Sequence, residues 1–217
     1  METPVIITKK AHDLFLKYGV RSVTMDDIAT EVGISKKTIY KFFENKDALV
    51  ENFIEEAIAE NEESCRTFIS KNNNPVVELF FTLMVAQKLY QDLNKPILNE
   101  LEKNHHKAYL AVKQHKDGFI FQTIKTSIEN GINKQLYQAD VNPALMSRFF
   151  LESLLLISDT SIFSSTTYHT TTLSEEIFGH LISGIATSAG TNLINRYKNQ
   201  HRFIRGTQTL TRPFWED

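Results

Sequence analysis

The sequence predicts an all-α fold, with an N-terminal three-helix helix-turn-helix module followed by a larger helical domain. Three observations predict it. Apolar residues recur at helical spacing along most of the chain. Capping residues, prolines and glycines punctuate those runs. No alternating apolar and polar run survives next to turn signals, so no strand is expected. With 217 residues, the chain can bury one small module and one domain with a core of its own.

The elements follow in order. Ile7, Ala11, Leu14, Phe15 and Tyr18 share one face of a first helix. Thr3 can cap it, with Pro4 at its first position and Gly19 just past its end. Thr24-Met25-Asp26-Asp27 fits a capping box and opens a short second helix that Gly33 ends. Ser35 opens a third helix to about Phe43, and Asn45-Lys46-Asp47 a long fourth to roughly Ser70. Asn72-Asn73-Asn74-Pro75 is a break. Beyond it, helices are expected near 75–92, 96–106 and 108–134, perturbed locally at Pro96 and Gly118. Asn142-Pro143 starts a very apolar helix to about Phe163. A Ser/Thr-rich connection follows, then a second capping box, Thr172-Leu173-Ser174-Glu175. A last helical piece spans about Ala189 to Lys198. The expected division is a module over 1–46, a helical domain over 47–200 and a basic tail over 201–217.

Charge and composition narrow the functional classes. A formal net charge of −2 excludes a chain that wraps nucleic acid with its whole surface, so any such contact must come from a local patch. One cysteine, Cys65, builds neither a disulfide framework nor a zinc site within the chain. The histidine pair His105-His106 projects in directions about 100° apart on a helix, which suits one shared ion poorly, so no metal or cofactor is expected. No apolar run reaches the ~18 residues of a membrane span, and Met1-Glu2-Thr3-Pro4 lacks the order of a signal peptide. The expected location is the cytoplasm, away from membranes. Neither a phosphate loop nor a nucleophile elbow is present, and nothing suggests an enzyme.

The informative stretch runs from Ile28 to Lys46. Two short helices that cross steeply need a small residue at the crossing and a glycine in the turn, which Ala29 and Gly33 supply. Ile28, Val32, Ile34 and Ile39 have the spacing to fill the wedge between them. Lys36, Lys37, Thr38, Tyr40 and Lys41 are left as the polar set that a recognition helix needs for base edges and phosphates. Gly33 to Lys46 holds four lysines against Glu44 alone, while Asp47 to Glu63 holds seven acids and no Lys or Arg. A basic tip on an acidic shaft aims the tip at phosphate.

Val23-Thr24-Met25-Asp26-Asp27-Ile28-Ala29, Val32-Gly33-Ile34-Ser35 and Thr38-Ile39-Tyr40-Lys41-Phe42-Phe43-Glu44-Asn45-Lys46-Asp47-Ala48-Leu49 together resemble the signature of the tetracycline-repressor (TetR) family. The resemblance covers about residues 5–50 and implies a DNA-binding regulator. Later in the chain, Ile185-Ala186-Thr187-Ser188-Ala189-Gly190 is similar to a turn in some members. The resemblance places Thr24 and Lys46 on phosphates, Lys36, Lys37 and Lys41 on bases or nearby phosphates, and Ser35, Thr38 and Tyr40 at the DNA surface. Phe42 departs from the phosphate-bonding His or Tyr of many members. Asp26 stands where a base-reading cation sometimes lies.

The family's middle helices enclose an inducer pocket, so Phe80, Met84, Gln87, Phe119, Gln122 and Phe149 become candidate lining residues for a small, largely apolar ligand. Its members dimerise through a four-helix interface. The corresponding candidates are Leu151, Leu155, Leu173, Ile177, Leu181 and Ile185, on two helices apolar enough to meet a second copy. The expected function is therefore a homodimeric repressor of double-stranded operator DNA, released by that ligand. Two alternatives stay open at this point: a helix-turn-helix protein with no inducer, and an all-α enzyme or carrier.

Overall fold

The computed structural model describes residues 3–159, 161–164, 167 and 169–196. The basic tail over 201–217, together with Lys198, lies outside the described residues. The chain folds into α1 (Thr3–Tyr18), α2 (Met25–Val32), α3 (Lys36–Ile39), α4 (Lys46–Lys71), α5 (Pro75–Asp92), α6 (Lys95–Asn104), α7 (His106–Gln114), α8 (Phe121–Asn133), α9 (Pro143–Ser158) and α10 (Thr170–Ile185). A last helix, α11, covers 188–196. A π-helical segment, His115–Ile120, joins α7 to α8 and contains Gly118. Among the described residues the only extended pairing is an isolated bridge between Tyr137 and Ala186.

Several boundaries move for local reasons. Thr3 already lies in α1. After Ile39, α3 tightens into turns in which Phe42 N donates to the Ile39 carbonyl at 2.9 Å and Phe43 N at 3.0 Å. The expected helix to Phe163 stops at Ser158, because the Asp159 carboxylate accepts from Ser161 N at 3.0 Å and Ser161 Oγ at 2.6 Å. Such a side-chain turn competes with helix continuation. These bonds, with Lys95 Nζ at 3.0 Å, pull the Asp159 carboxyl down to about 2. The second capping box is not formed: α10 starts at Thr170, which puts Thr172 inside the first turn.

Apolar burial gathers in two clusters. The first joins Ile7, Phe15, Ile28, Ile39, Leu49 and Phe53 to Leu93, Ile97, Leu101 and Val112. The three-helix module is thus packed through α4 onto the end of α5, α6 and α7, with no gap at residue 46. The second cluster joins Val76, Phe80 and Leu83 of α5 to Ile124 and Ile128 of α8, Phe150 and Leu154 of α9, Phe178 and Ile182 of α10, and Ile194. A clasp closes its far end. Gln138 N donates to the Ile185 carbonyl at 2.9 Å and Thr187 N to the Leu136 carbonyl at 3.0 Å. Thr187 Oγ1 accepts from Gly190 N at 3.2 Å, capping α11. A Cβ at Gly190 would overlap the Leu136 carbonyl oxygen, so only glycine lets the two segments approach.

Candidate nucleic-acid interface

Local chemistry fixes α2 and α3. Thr24 caps α2 in an extended conformation. Its hydroxyl accepts from Asp27 N at 3.2 Å, while Thr24 N donates to Asp27 Oδ2 at 2.8 Å. The Thr24 hydroxyl also bonds that carboxylate, and the pair of bonds holds the Asp27 carboxyl below its ordinary value. Gly33 ends the helix at φ 77°, a left-handed conformation that favours glycine. Gly33 N donates to the Ala29 carbonyl at 3.0 Å, and so does Ile34 N. Ser35 then caps α3, its Oγ accepting from Thr38 N at 3.1 Å. Ile28 and Ile39 are fully buried in the wedge, Ala29 nearly so, and Val32 and Ile34 pack at its edge.

That scaffold presents Lys36, Lys37, Tyr40, Lys41 and Phe42 to solvent, with Thr38 half-buried between them. The lysines are not equivalent. Lys36 Nζ lies 2.7 Å from Asp26 Oδ2, and this bond raises its pKa. Lys37 and Lys41 have no ion-pair partner among the described residues. Lys46 is turned partly inward. Its Nζ donates to the Val20 carbonyl at 2.6 Å, tying the start of α4 to the α1–α2 turn, and burial lowers its pKa. An ammonium has three donors, so two remain. Arg21, exposed in the same turn, was missed by the sequence reading. The signal available was a cation three residues before the Thr24 cap.

The pocket candidates separate. Phe80, Met84 and Gln87 lie inside the bundle at 3%, 7% and 1% exposure. Phe119 and Gln122 instead line an open groove of about 640 Å³ with Glu78, Ser127 and Asn130. Phe149 is corrected: it is 52% exposed on the outer face of α9, and Phe150 is the residue that turns inward. Interior polar groups that the sequence reading missed are Tyr90 and His115. The Tyr90 hydroxyl and both His115 ring nitrogens are buried without a hydrogen-bond partner, as is Gln87 Oε1. Burial pushes the His115 imidazole down to about 4. The Gln87 amide nitrogen donates to Ser158 Oγ at 2.7 Å.

Two dimer candidates are corrected as well. Leu151 and Ile185, at 0% and 5% exposure, sit in the protomer's own core and offer no surface to a second chain. Leu155 is half-buried against the first cluster. Leu173, Ile177 and Leu181 are half-buried at the edge of the second. The open apolar row on α9 is Leu145, Phe149 and Leu156.

A capped α2, a left-handed glycine turn and a short α3 offering unpaired lysines define a helix-turn-helix nucleic-acid-binding protein. The comparisons agree. Residues 7–53 match the family described as bacterial regulatory proteins, tetR family, which identifies the N-terminal module. It is 29% identical to the uncharacterized HTH-type transcriptional regulator YvaF of Bacillus subtilis (strain 168), over 76% of this chain and 86% of that one. Its fold resembles the transcriptional regulator FadR of Bacillus subtilis in complex with stearoyl-CoA, with a TM-score of 0.67 and 17% identity, over 84% of this chain and all of that one. It also resembles a gamma-butyrolactone receptor (ArpA-like protein), with a TM-score of 0.67 and 15% identity, over 90% of this chain and 96% of that one. Among the described residues, no helix is long and apolar enough to cross a membrane.

Proposed function

We propose that the chain is a cytoplasmic, homodimeric repressor. On this reading residues 1–46 dock on operator DNA and residues 47–200 dimerise and sense a small, largely apolar ligand. The observation that carries the DNA half is the exposure of Lys37 and Lys41, without ion-pair partners, on an α3 whose start is pinned by the Gly33 turn and the Ser35 cap. Lys37 and Lys41 would read the major groove, joined by Lys36 once it leaves Asp26. Thr24, Ser35, Thr38 and Tyr40 would bond the backbone. Lys46 would use its two remaining donors on a phosphate. Exposed Phe42 offers apolar contact to sugar or a thymine methyl in place of a phosphate bond.

Support for the sensing half comes from the unpartnered polar atoms of Gln87 and Tyr90 on α5 and of His115 at the start of the π segment, all buried. Each unmet group costs about 1–3 kcal/mol, which a ligand with an apolar body and a few polar atoms would offset. The two regulators of similar fold named above, one bound to stearoyl-CoA and one a gamma-butyrolactone receptor, favour such a ligand. Dimerisation would use Leu145, Phe149 and Leu156 of α9 with Leu173, Ile177 and Leu181 of α10. Two recognition helices would then stand about 34–36 Å apart, and ligand would favour another spacing. This action needs no catalysis.

The test is footprinting on DNA flanking the gene, followed by anisotropy titration. Lys37→Ala and Lys41→Ala should each weaken binding and reduce the slope of log K against log salt by about 0.9. Unchanged slopes in both variants would refute the interface. A compound screen for release then separates an inducible repressor from a protein with no inducer.

A further inference from the structure

A second groove, of about 630 Å³, lies where α1 of the module meets α4 and α5, away from the bundle interior and from α3. Its apolar lining includes Phe53, Ala57, Val85 and Leu89, and α1 adds Leu16 at 43% and Val5 at 49% exposure. Carboxylates outnumber ammoniums around it. Asp13, Glu56, Glu60 and Asp92 stand against Lys9 and Lys88; Lys88 is already paired with Asp92 at 2.6 Å, and His12, also in the lining, places Nδ1 3.3 Å from Glu56 Oε2. Asn61, 5% exposed, also lines the groove. Its Nδ2 donates to the Val85 carbonyl at 3.0 Å, which fixes the amide's orientation and leaves Oδ1 a buried acceptor without a partner.

From the unpartnered Asn61 acceptor, the carboxylate surplus and the apolar walls, we infer that this groove binds a small organic cation, an ammonium with at least one N–H donor and an apolar or aromatic body. The chemistry is specific in sign. Oδ1 of an amide accepts and cannot donate, so the missing partner is a donor. An ammonium brings donors and the charge that Asp13 and Glu60 attract. An anion brings neither and would meet carboxylates on both α1 and α4. The ring would displace water from the apolar wall formed by Phe53, Leu89 and Leu16. An occupant would touch both the DNA-reading module and the bundle. By linkage, any change it makes in operator affinity is matched by the operator's effect on its own binding.

The probe is 2-phenylethylammonium chloride, titrated into the full chain by calorimetry at low salt. The comparator is 3-phenylpropionate, which has the same ring and tether with the opposite charge. The expected result is saturable binding of the ammonium in the high micromolar to millimolar range usual for a fragment of about nine heavy atoms, with no saturable binding of the carboxylate. Asn61→Leu should weaken ammonium binding about tenfold. Glu60→Gln, at an exposed position that keeps the fold, should weaken it about threefold. Absence of saturable ammonium binding, equal binding of the two probes, or wild-type affinity in both variants would overturn the inference. None of these measurements contains DNA, so the outcome is independent of the operator reading.

Discussion

Removing the Asp26 carboxylate should tighten operator binding. Asp26 sits in the first turn of α2 with its side chain 67% exposed, and holds Lys36, 45% exposed, at 2.7 Å. A bound phosphate meets this pair at a double disadvantage. Lys36 must first leave the carboxylate, and an ion pair this exposed is worth only about 0.2–1 kcal/mol. The carboxylate then faces the polyanion. At roughly 7 Å through water, each phosphate repels it by about 0.6 kcal/mol before screening, and the Debye length at physiological salt is about 8 Å. The two effects sum to about 1 kcal/mol, so Asp26→Asn should bind operator about fivefold more tightly. The salt slope should steepen by up to about 0.9 as Lys36 becomes a full phosphate contact. Stability should move the other way by a few tenths of a kcal/mol, because an acid is lost from a helix N-terminus. Fluorescence anisotropy from 50 to 300 mM salt reads both affinity and slope. In the Asp26→Asn background, Lys36→Met should cost more than in wild type. A folded Asp26→Asn protein that binds no better, or equal Lys36→Met effects in the two backgrounds, would refute the reasoning.

Other expectations can be tested separately. A Cβ at Gly33 meets nothing within 4 Å, so Gly33→Ala carries only the backbone cost of φ 77°, about 1–2 kcal/mol, and Gly33→Val more. Operator affinity should fall while the bundle's circular-dichroism melt stays in place, and wild-type affinity in Gly33→Val would remove the turn from the argument. His115 is neutral in the fold, and its unfolded pKa lies near 6.5. Its contribution is therefore fully present above about pH 6.5 and lost as pH falls towards about 4, by up to about 3 kcal/mol. Urea titrations at pH 7 and 4.5 should show a smaller pH loss in His115→Leu than in wild type, and identical losses would mean the imidazole is not held neutral. Phe149→Glu places a charge on the open α9 row without entering the core, so sedimentation should show dissociation of the dimer with the monomer fold intact. An unaffected assembly would move the interface elsewhere.

Local rules made the reading end legible. The Thr24 capping box, the Gly33 stop and the Ser35 cap each involve partners within a few residues, so spacing alone exposes them. The same holds for the break before Pro75 and for Gly118 in the π segment. Legibility failed where a partner comes from far along the chain. The end of α9 fits that rule only in part: its Asp159–Ser161 turn is local, and Lys95 of α6 reinforces the same carboxylate from 64 residues away. The faces of α9 were inverted at Phe149 and Leu151 because a helix apolar on several sides gives periodicity nothing to choose between. Burial against α5 and α10 makes that choice. Isolation was the obstacle at Tyr90 and His115, since an unmet polar atom is defined by what is absent around it.

The packing also bears on how sensing and reading could be joined. Helix α7 leads directly into the π segment that begins at His115, and its other end meets the start of α4. His105 Nδ1 lies 2.7 Å from Asp47 Oδ1, and Lys107 pairs with Glu51 one turn further on. Just before Asp47, Lys46 holds the Val20 carbonyl in the α1–α2 turn. A shift of α7 along its axis therefore reaches the α2–α3 unit through the close His105–Asp47 contact, the Lys107–Glu51 ion pair and one hydrogen bond. The shared apolar cluster of Leu101, Ala108, Val112, Leu49 and Phe53 resists bending between them. The unpartnered imidazole and the exposed lysines of α3 thus lie at opposite ends of one continuous set of packed elements. Coupling between them requires only that α7 have two stable positions.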